Sequence, residues 1–262
     1  MKNIGIVTGA SSGIGKGIAL ETAKEFDLDE IWLIARRKDK LIELGKKIYQ
    51  DYGINVVIMA LDLIDEKSLQ KISKRLERKN PNIKILINSS GFGIMGDSSE
   101  INRKMQEDMI LLNCKALFSI TNICTKYMSR GSGILQIASV AGFCPQPYFA
   151  VYSATKAFVL SYSMALSQEL KKRGISVSAL CPGPVDTEFF DICERDAKME
   201  NFIKRIFMKS PDFVVKRAIK GYLKKKTVIV PGITMKLLAT IEGLHIKQLS
   251  SILAYKIYKK FN

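Results

Sequence analysis

Thr8-Gly9-Ala10-Ser11-Ser12-Gly13-Ile14-Gly15 stands directly after the apolar run Ile4–Val7 and directly before a segment of helical period. Glycines at a strand-to-helix junction have a physical use. Gly9 permits a tight turn, while Gly13 and Gly15 let backbone amides and the helix N-terminus close on a pyrophosphate. Glycines also mark plain turns, so the flanking strand and helix are what make the pattern informative. Ser11, Ser12 and Ile14 complete a loop that reads as a dinucleotide cradle.

Working outward, the apolar run before the loop is the first of a series. Ile31–Ile34, Val56–Leu61, Ile83–Ile87, Ile134–Ile137, Ile175–Leu180 and Val228–Val230 repeat its β-branched character. Helical segments lie between them: Ile14, Ile18, Thr22 and Phe26 share one face, as do Val159, Tyr162, Leu166 and Leu170. Strands alternating with helices mean βαβ units, whose right-handed crossovers build a parallel sheet covered on both faces. The expected fold is therefore α/β: a single-domain Rossmann fold with a doubly wound parallel sheet of about seven strands. The expected catalytic domain spans residues 1–232, with a lid segment near 188–210. Residues 233–262 break the alternation and read as a basic amphipathic C-terminal helical extension, with Gly243 as a break.

The chain has 262 residues, 47% of them hydrophobic and 25% charged, which suits one domain with a sizeable core and excludes a disordered or collagen-like chain. Its 41 basic and 25 acidic side chains leave a formal charge of +16. The excess is uneven, since residues 191–262 alone hold 16 basic and 6 acidic side chains. Such charge points to a polyanionic ligand, an anionic membrane surface or nucleic acid. No nucleic-acid motif accompanies it, so nucleic acid is not an expected partner. Five cysteines without a C-x-x-C pair, and a single histidine (His245), argue for reduced thiols and against a metal site. Met1-Lys2-Asn3 leads straight into the first strand, and no window holds the roughly 18 apolar residues that span a bilayer. A cytoplasmic protein is expected.

Two further stretches carry chemistry. The second strand ends in Ala35-Arg36-Arg37, where an acid would take the adenosine ribose hydroxyls; arginines there accommodate a 2′-phosphate instead, which predicts NADP(H). Asp62, with Leu63 after it, is a candidate for the adenine edge. Tyr152-Ser153-Ala154-Thr155-Lys156 places a phenol and an ammonium at i and i+4 on one helix face. A nearby cation stabilises a phenolate and makes the phenol a usable acid and base. Ser139, just past the strand Ile134–Ile137, is placed to hydrogen-bond a substrate oxygen.

These residues, in this order and spacing, resemble the short-chain dehydrogenases/reductases of the ordinary single-domain type. The resemblance covers residues 3 to about 190 and rests on Thr8–Gly15, Asn88 to Gly91, Asn113, Ser139, Tyr152, Lys156 and Pro182-Gly183. It implies that Tyr152 passes the substrate proton, that Lys156 binds the nicotinamide ribose and tunes Tyr152, and that Ser139 orients the carbonyl. It implies that Asn113 holds a water of the proton relay, and that Thr187, in Pro182-Gly183-Pro184-Val185-Asp186-Thr187, bonds the carboxamide. Hydride would pass between nicotinamide and the substrate carbon. The family's usual Asn-Asn-Ala-Gly is Asn88-Ser89-Ser90-Gly91 here, which implies altered local hydrogen bonding without loss of catalysis. Ala35-Arg36-Arg37 and Gly91-Phe92-Gly93 resemble a bacterial branch of NADP-dependent oxidoreductases, itself similar to 17β-hydroxysteroid dehydrogenases and long-chain 3-oxoacyl reductases. A homodimer or homotetramer is implied too.

The expected substrate pocket draws on Phe92, on the segment Val140 to Phe149, with Val140, Phe143, Cys144 and Tyr148 in it, and on the segment after Thr187, with Phe189 and Phe190. Aromatic and sulfur-bearing side chains suit a hydrophobic ketone or secondary alcohol, whether steroid, fatty-acyl or aromatic. The same residues could instead pack a lid onto the body. For the C-terminal extension two readings stand: a helix packed on the domain or a partner subunit, or peripheral contact with a membrane. For the whole chain the expectation is an NADP(H)-dependent carbonyl reductase. The rivals are a membrane-associated lipid or steroid reductase and a cofactor-binding sensor or scaffold without turnover.

Overall fold

In the computed structural model, which describes residues 1–189 and 208–242, the β-branched runs become the strands of one sheet. These are β1 (Asn3–Thr8), β2 (Glu30–Ala35), β3 (Asn55–Ala60), β4 (Asn82–Asn88), β5 (Gly133–Ile137), β6 (Ser176–Leu180) and the short β7 (Val228–Ile229). All neighbouring strands are parallel, in the order β3-β2-β1-β4-β5-β6-β7. Thr227, before the two-residue β7, and Cys181, after β6, extend the seam, since Ala179 N donates to Thr227 O and Cys181 N to Ile229 O.

The crossovers are helical. They comprise α1 (Gly13–Glu25), α2 (Lys38–Tyr52), α3 (Glu66–Lys79), α4 (Arg103–Ile110), α5 (Leu117–Thr125) and α6 (Ala150–Glu169). Two more follow, α7 (Pro211–Leu223) and α8 (Ile233–Glu242). Leu111–Ala116, between α4 and α5, is a π-helical turn.

The period of two along the strands divides the core. Ile31 and Leu33 face α1, α2 and α7, where they pack with Ile18, Leu44 and Val215. Trp32 and Ile34 face the other layer, with Ile72, Ile120 and Leu166 from α3, α5 and α6. In β4 the register against β1 shifts between Ile4 and Gly5, so Ile83 and Ile85 serve opposite faces. With both faces covered, the strands read as apolar runs, as a parallel sheet requires. No described helix is long and apolar enough to cross a membrane.

Order reverses between β1 and β4, the sheet's switch point. There a crevice opens at the carboxyl ends of the strands. Most of the expected lid segment, and the extension beyond Glu242 with His245, lie outside the described residues.

A candidate active site at the carboxyl edge of the sheet

A cavity of about 470 Å³ opens at that edge, a size within the ordinary range for small-molecule sites. The loops after β1, β2, β3, β4, β5 and β6 all contribute to its wall.

The glycine loop forms one side. Gly9 sits at φ +65°, and a Cβ on it would come within 2.7 Å of the Ser89 backbone. A Cβ on Gly15 would run into the Gly9 carbonyl oxygen. Ser12 is the N-cap of α1, yet its side chain accepts nothing from the helix, and the first turn carries no acid. The first-turn amides are thus left for an outside anion, which fits a pyrophosphate on a backbone cradle. Ser11, Ser12, Gly13 and Ile14 line the cavity, with Arg36, Arg37, Asp62 and Leu63 further along the same wall. Asp62 Oδ1 accepts from Ile64 N at 3.1 Å, which fixes that carboxylate at the rim.

Arg37 is already engaged. Its Nη1 donates to Glu188 Oε2 at 2.7 Å, and its Nε and Nη2 each reach Ser11 Oγ at 3.3 Å. The Arg37 hydrogen bond, with the Ser12 hydroxyl adding to it, holds the Glu188 carboxyl below its ordinary value.

The opposite wall carries the proposed chemistry. Ser139 follows β5 and is nearly buried; its Oγ accepts from Ala141 N at 3.1 Å and reaches Pro182 O at 3.5 Å. Tyr152 and Lys156 lie one turn apart on α6, and Lys156 Nζ is 5.5 Å from the Tyr152 ring centre. Tyr152 stacks on Phe149, with centroids 4.2 Å apart, and Phe189 leans on it at 5.5 Å. Lys156 is buried, and its Nζ donates to Ile137 O at 2.8 Å. Burial pushes this ammonium down to about 8, because the charged form loses solvent. Burial also raises the neighbouring thiols, Cys114 to about 11 and Cys181 to about 12, so neither supplies a counter-charge near neutral pH.

Two expected site residues, Asn88 and Asn113, stand directly behind the cavity wall. Asn88 is buried beneath the loop, its amide donating to Thr121 Oγ1 and Gln136 Oε1, both at 2.9 Å; it supports the wall without lining it. Its neighbours Ser89, Ser90 and Gly91 do line the cavity, and Thr8 Oγ1 accepts from the amides of Ser89 and Ser90. Asn113, in the π-helical turn, also stands behind the wall. Its side chain brackets the Phe92 backbone, accepting from N at 3.1 Å and donating to O at 2.9 Å, and also donates to Thr155 Oγ1.

Of the expected pocket residues, Phe92, Val140 and Phe189 line the cavity. Phe143 does not: it packs against a cluster that holds Leu117, Ala138, Val159 and Leu160. Cys144 and Tyr148 are not in the wall either, and Tyr148 bends the chain at φ +60° while its carbonyl accepts from Gly96 N. Phe190 lies outside the described residues. Pro182, Gly183, Val185 and Thr187 line the wall after β6. Gln146 and Phe149, from the expected Val140–Phe149 segment, line it as well, and so do Met95, Leu112 and Glu188, which sequence reasoning did not assign. Met95, Leu112 and Glu188 carried no pattern of their own.

Comparison with known proteins agrees with this architecture. The model of the short chain dehydrogenase family matches residues 3–197. An uncharacterised oxidoreductase of Staphylococcus saprophyticus is 33% identical over 186 residues, covering 70% of this chain and 79% of that protein. A short-chain dehydrogenase from Sphingobium yanoikuyae, solved in complex with NADPH, has a TM-score of 0.79 at 28% identity, covering 95% of this chain and 96% of that one. The bulky-bulky ketone specific alcohol dehydrogenase from Comamonas testosteroni has a TM-score of 0.74 at 26% identity, covering 94% of each chain. The chain belongs to the short-chain dehydrogenase family, as an NAD(P)-dependent oxidoreductase.

Proposed function

We propose that the protein is an NADP(H)-dependent reductase of hydrophobic ketones, running in reverse as a secondary-alcohol dehydrogenase. One observation carries the reading: Ser139, Tyr152 and Lys156 share a single cavity with the glycine loop and the arginines at the end of β2.

Gly9, Gly15 and the first turn of α1 would hold the pyrophosphate, with Arg36 and Arg37 at the 2′-phosphate. The bound nicotinamide supplies or accepts the hydride. On the protein side, the Ser139 hydroxyl donates to the substrate oxygen and orients it. The Tyr152 hydroxyl gives that oxygen its proton during reduction and takes it back during oxidation. Lys156, when charged, favours the phenolate across the short gap between the two groups. Asn113 acts as a positioning residue, since it fixes the Phe92 backbone beside this cluster.

The apolar substrate reading rests on the wall facing Tyr152, where Phe92, Met95, Phe149 and Phe189 gather. The similar Comamonas enzyme is described as specific for bulky ketones. A second copy of the chain is the proposed partner. Phe118 on α5 and Phe158 and Met164 on α6 are exposed, and Phe118 and Phe158 each contact the Tyr162 ring.

The test follows NADPH consumption with bulky aromatic ketones, steroid ketones and 3-oxoacyl thioesters, against short polar aldehydes. Faster turnover of the bulky ketones supports the reading; activity confined to short polar aldehydes contradicts it.

A further inference from the structure

We infer that Glu188 is an internal competitor for the 2′-phosphate site: its carboxylate holds Arg37 in the free protein and must release it before the phosphate of NADP(H) can bind there. This rests on the NADP(H) reading above and concerns how that site is regulated.

The guanidinium of Arg37 is filled from two sides, by Glu188 at 2.7 Å and by Ser11 Oγ at 3.3 Å. The end of β2 has no acid of its own, and the carboxylate arrives from 151 residues further along the chain. It is carried there by the loop after β6, where Thr187 lies against Gly13 closely enough that a Cβ on that glycine would be 3.3 Å from Thr187 Cγ2. Glu188 therefore lies beside the glycine loop, with its carboxylate on the Arg37 guanidinium.

A carboxylate and a phosphate cannot both keep one guanidinium without repelling each other. NAD(H) carries no 2′-phosphate and leaves the pair intact. Glu188 thus weakens NADP(H) binding selectively and narrows the discrimination that Arg36 and Arg37 create. Both side chains are about half exposed, at 46% and 51%, so the pair is weak enough to be displaced.

The experiment titrates NADPH, NADH and 2′,5′-ADP into the full chain by calorimetry, for wild type, Glu188→Gln and Arg37→Ala. Glu188→Gln is expected to bind NADPH and 2′,5′-ADP about two- to fivefold tighter, as the loss of an exposed ion pair implies, with NADH unchanged. An unchanged or lower NADPH-to-NADH affinity ratio in Glu188→Gln overturns the inference. The Arg37→Ala arm separates the two readings. If it weakens NADPH while Glu188→Gln leaves the ratio alone, only the competition fails; if it leaves NADPH and 2′,5′-ADP untouched, the NADP(H) reading fails with it.

Discussion

Lys156 Nζ donates to the carbonyl oxygen of Ile137 at 2.8 Å, tying the helix that carries Tyr152 to the strand that ends two residues before Ser139. One buried hydrogen bond thus holds the two halves of the proposed catalytic set in register. It also leaves a lysine in a place where its charge is costly.

That cost has a pH signature. In the folded protein burial holds Lys156 down to about 8, well below its ordinary value of 10.5. Below pH 8 the ammonium is charged in both states and the penalty is fully present. Between 8 and 10.5 the unfolded chain binds more protons than the folded one, so the Lys156 contribution to stability rises with pH. The raised groups Cys114, Cys181 and Tyr222 work in the opposite sense at higher pH. A comparison with Lys156→Met isolates the lysine. From pH 7.5 to 10 the wild type should gain up to about 3 kcal/mol relative to the variant in denaturant titrations. A difference that stays constant with pH would mean the ammonium is not desolvated.

In the proposed reading, cofactor choice turns on the end of β2. Replacing Arg36 by Asp removes a charge-assisted contact and sets a carboxylate beside the phosphate. The ratio of kcat/KM for NADPH over NADH should fall by about tenfold to a hundredfold. An unchanged ratio would detach the arginines from phosphate recognition.

Gly93 lies under the ring of Tyr152. A Cβ there would come within 2.7 Å of Phe149 Cζ and 2.8 Å of Tyr152 Cδ2, both atoms of rings with little room to retreat. Gly93→Ala should lower stability by about 1–3 kcal/mol and reduce turnover, with NADPH affinity close to wild type. Stability and turnover both at wild-type levels would show that the Tyr152 ring is not packed against this backbone.

The exposed aromatics of α5 and α6 bear on assembly. Phe158→Lys should shift the elution of the chain in size-exclusion chromatography to a smaller species, since it places a charge in the middle of the apolar face. Wild type eluting as a monomer would remove the proposed second copy.

The sheet was legible because both faces are covered: Ile4–Val7 and Ile31–Ile34 are apolar without interruption, and a glycine loop follows the first of them. Tyr152, Lys156 and Ser139 were legible because helix spacing and a strand end fix where they point. Less legible was what tertiary packing decides. Phe143 is as aromatic as Phe149, but the turn after Ser139 sends it into the cluster of Leu117 and Val159 while Phe149 stays on Tyr152. Asn88 reads as a loop residue, yet it ends β4 and is drawn into the Thr121–Gln136 network below the wall. Glu188 reaches Arg37 from another loop, and no local pattern in the sequence announces that meeting.

The central claim is that Tyr152 transfers the substrate proton in a site that also binds the cofactor. Tyr152→Phe removes one hydroxyl and keeps the ring on Phe149. With a bulky ketone it is predicted to lose about a hundredfold or more in NADPH turnover while binding NADPH as wild type does. Equal turnover in the two proteins would contradict the account.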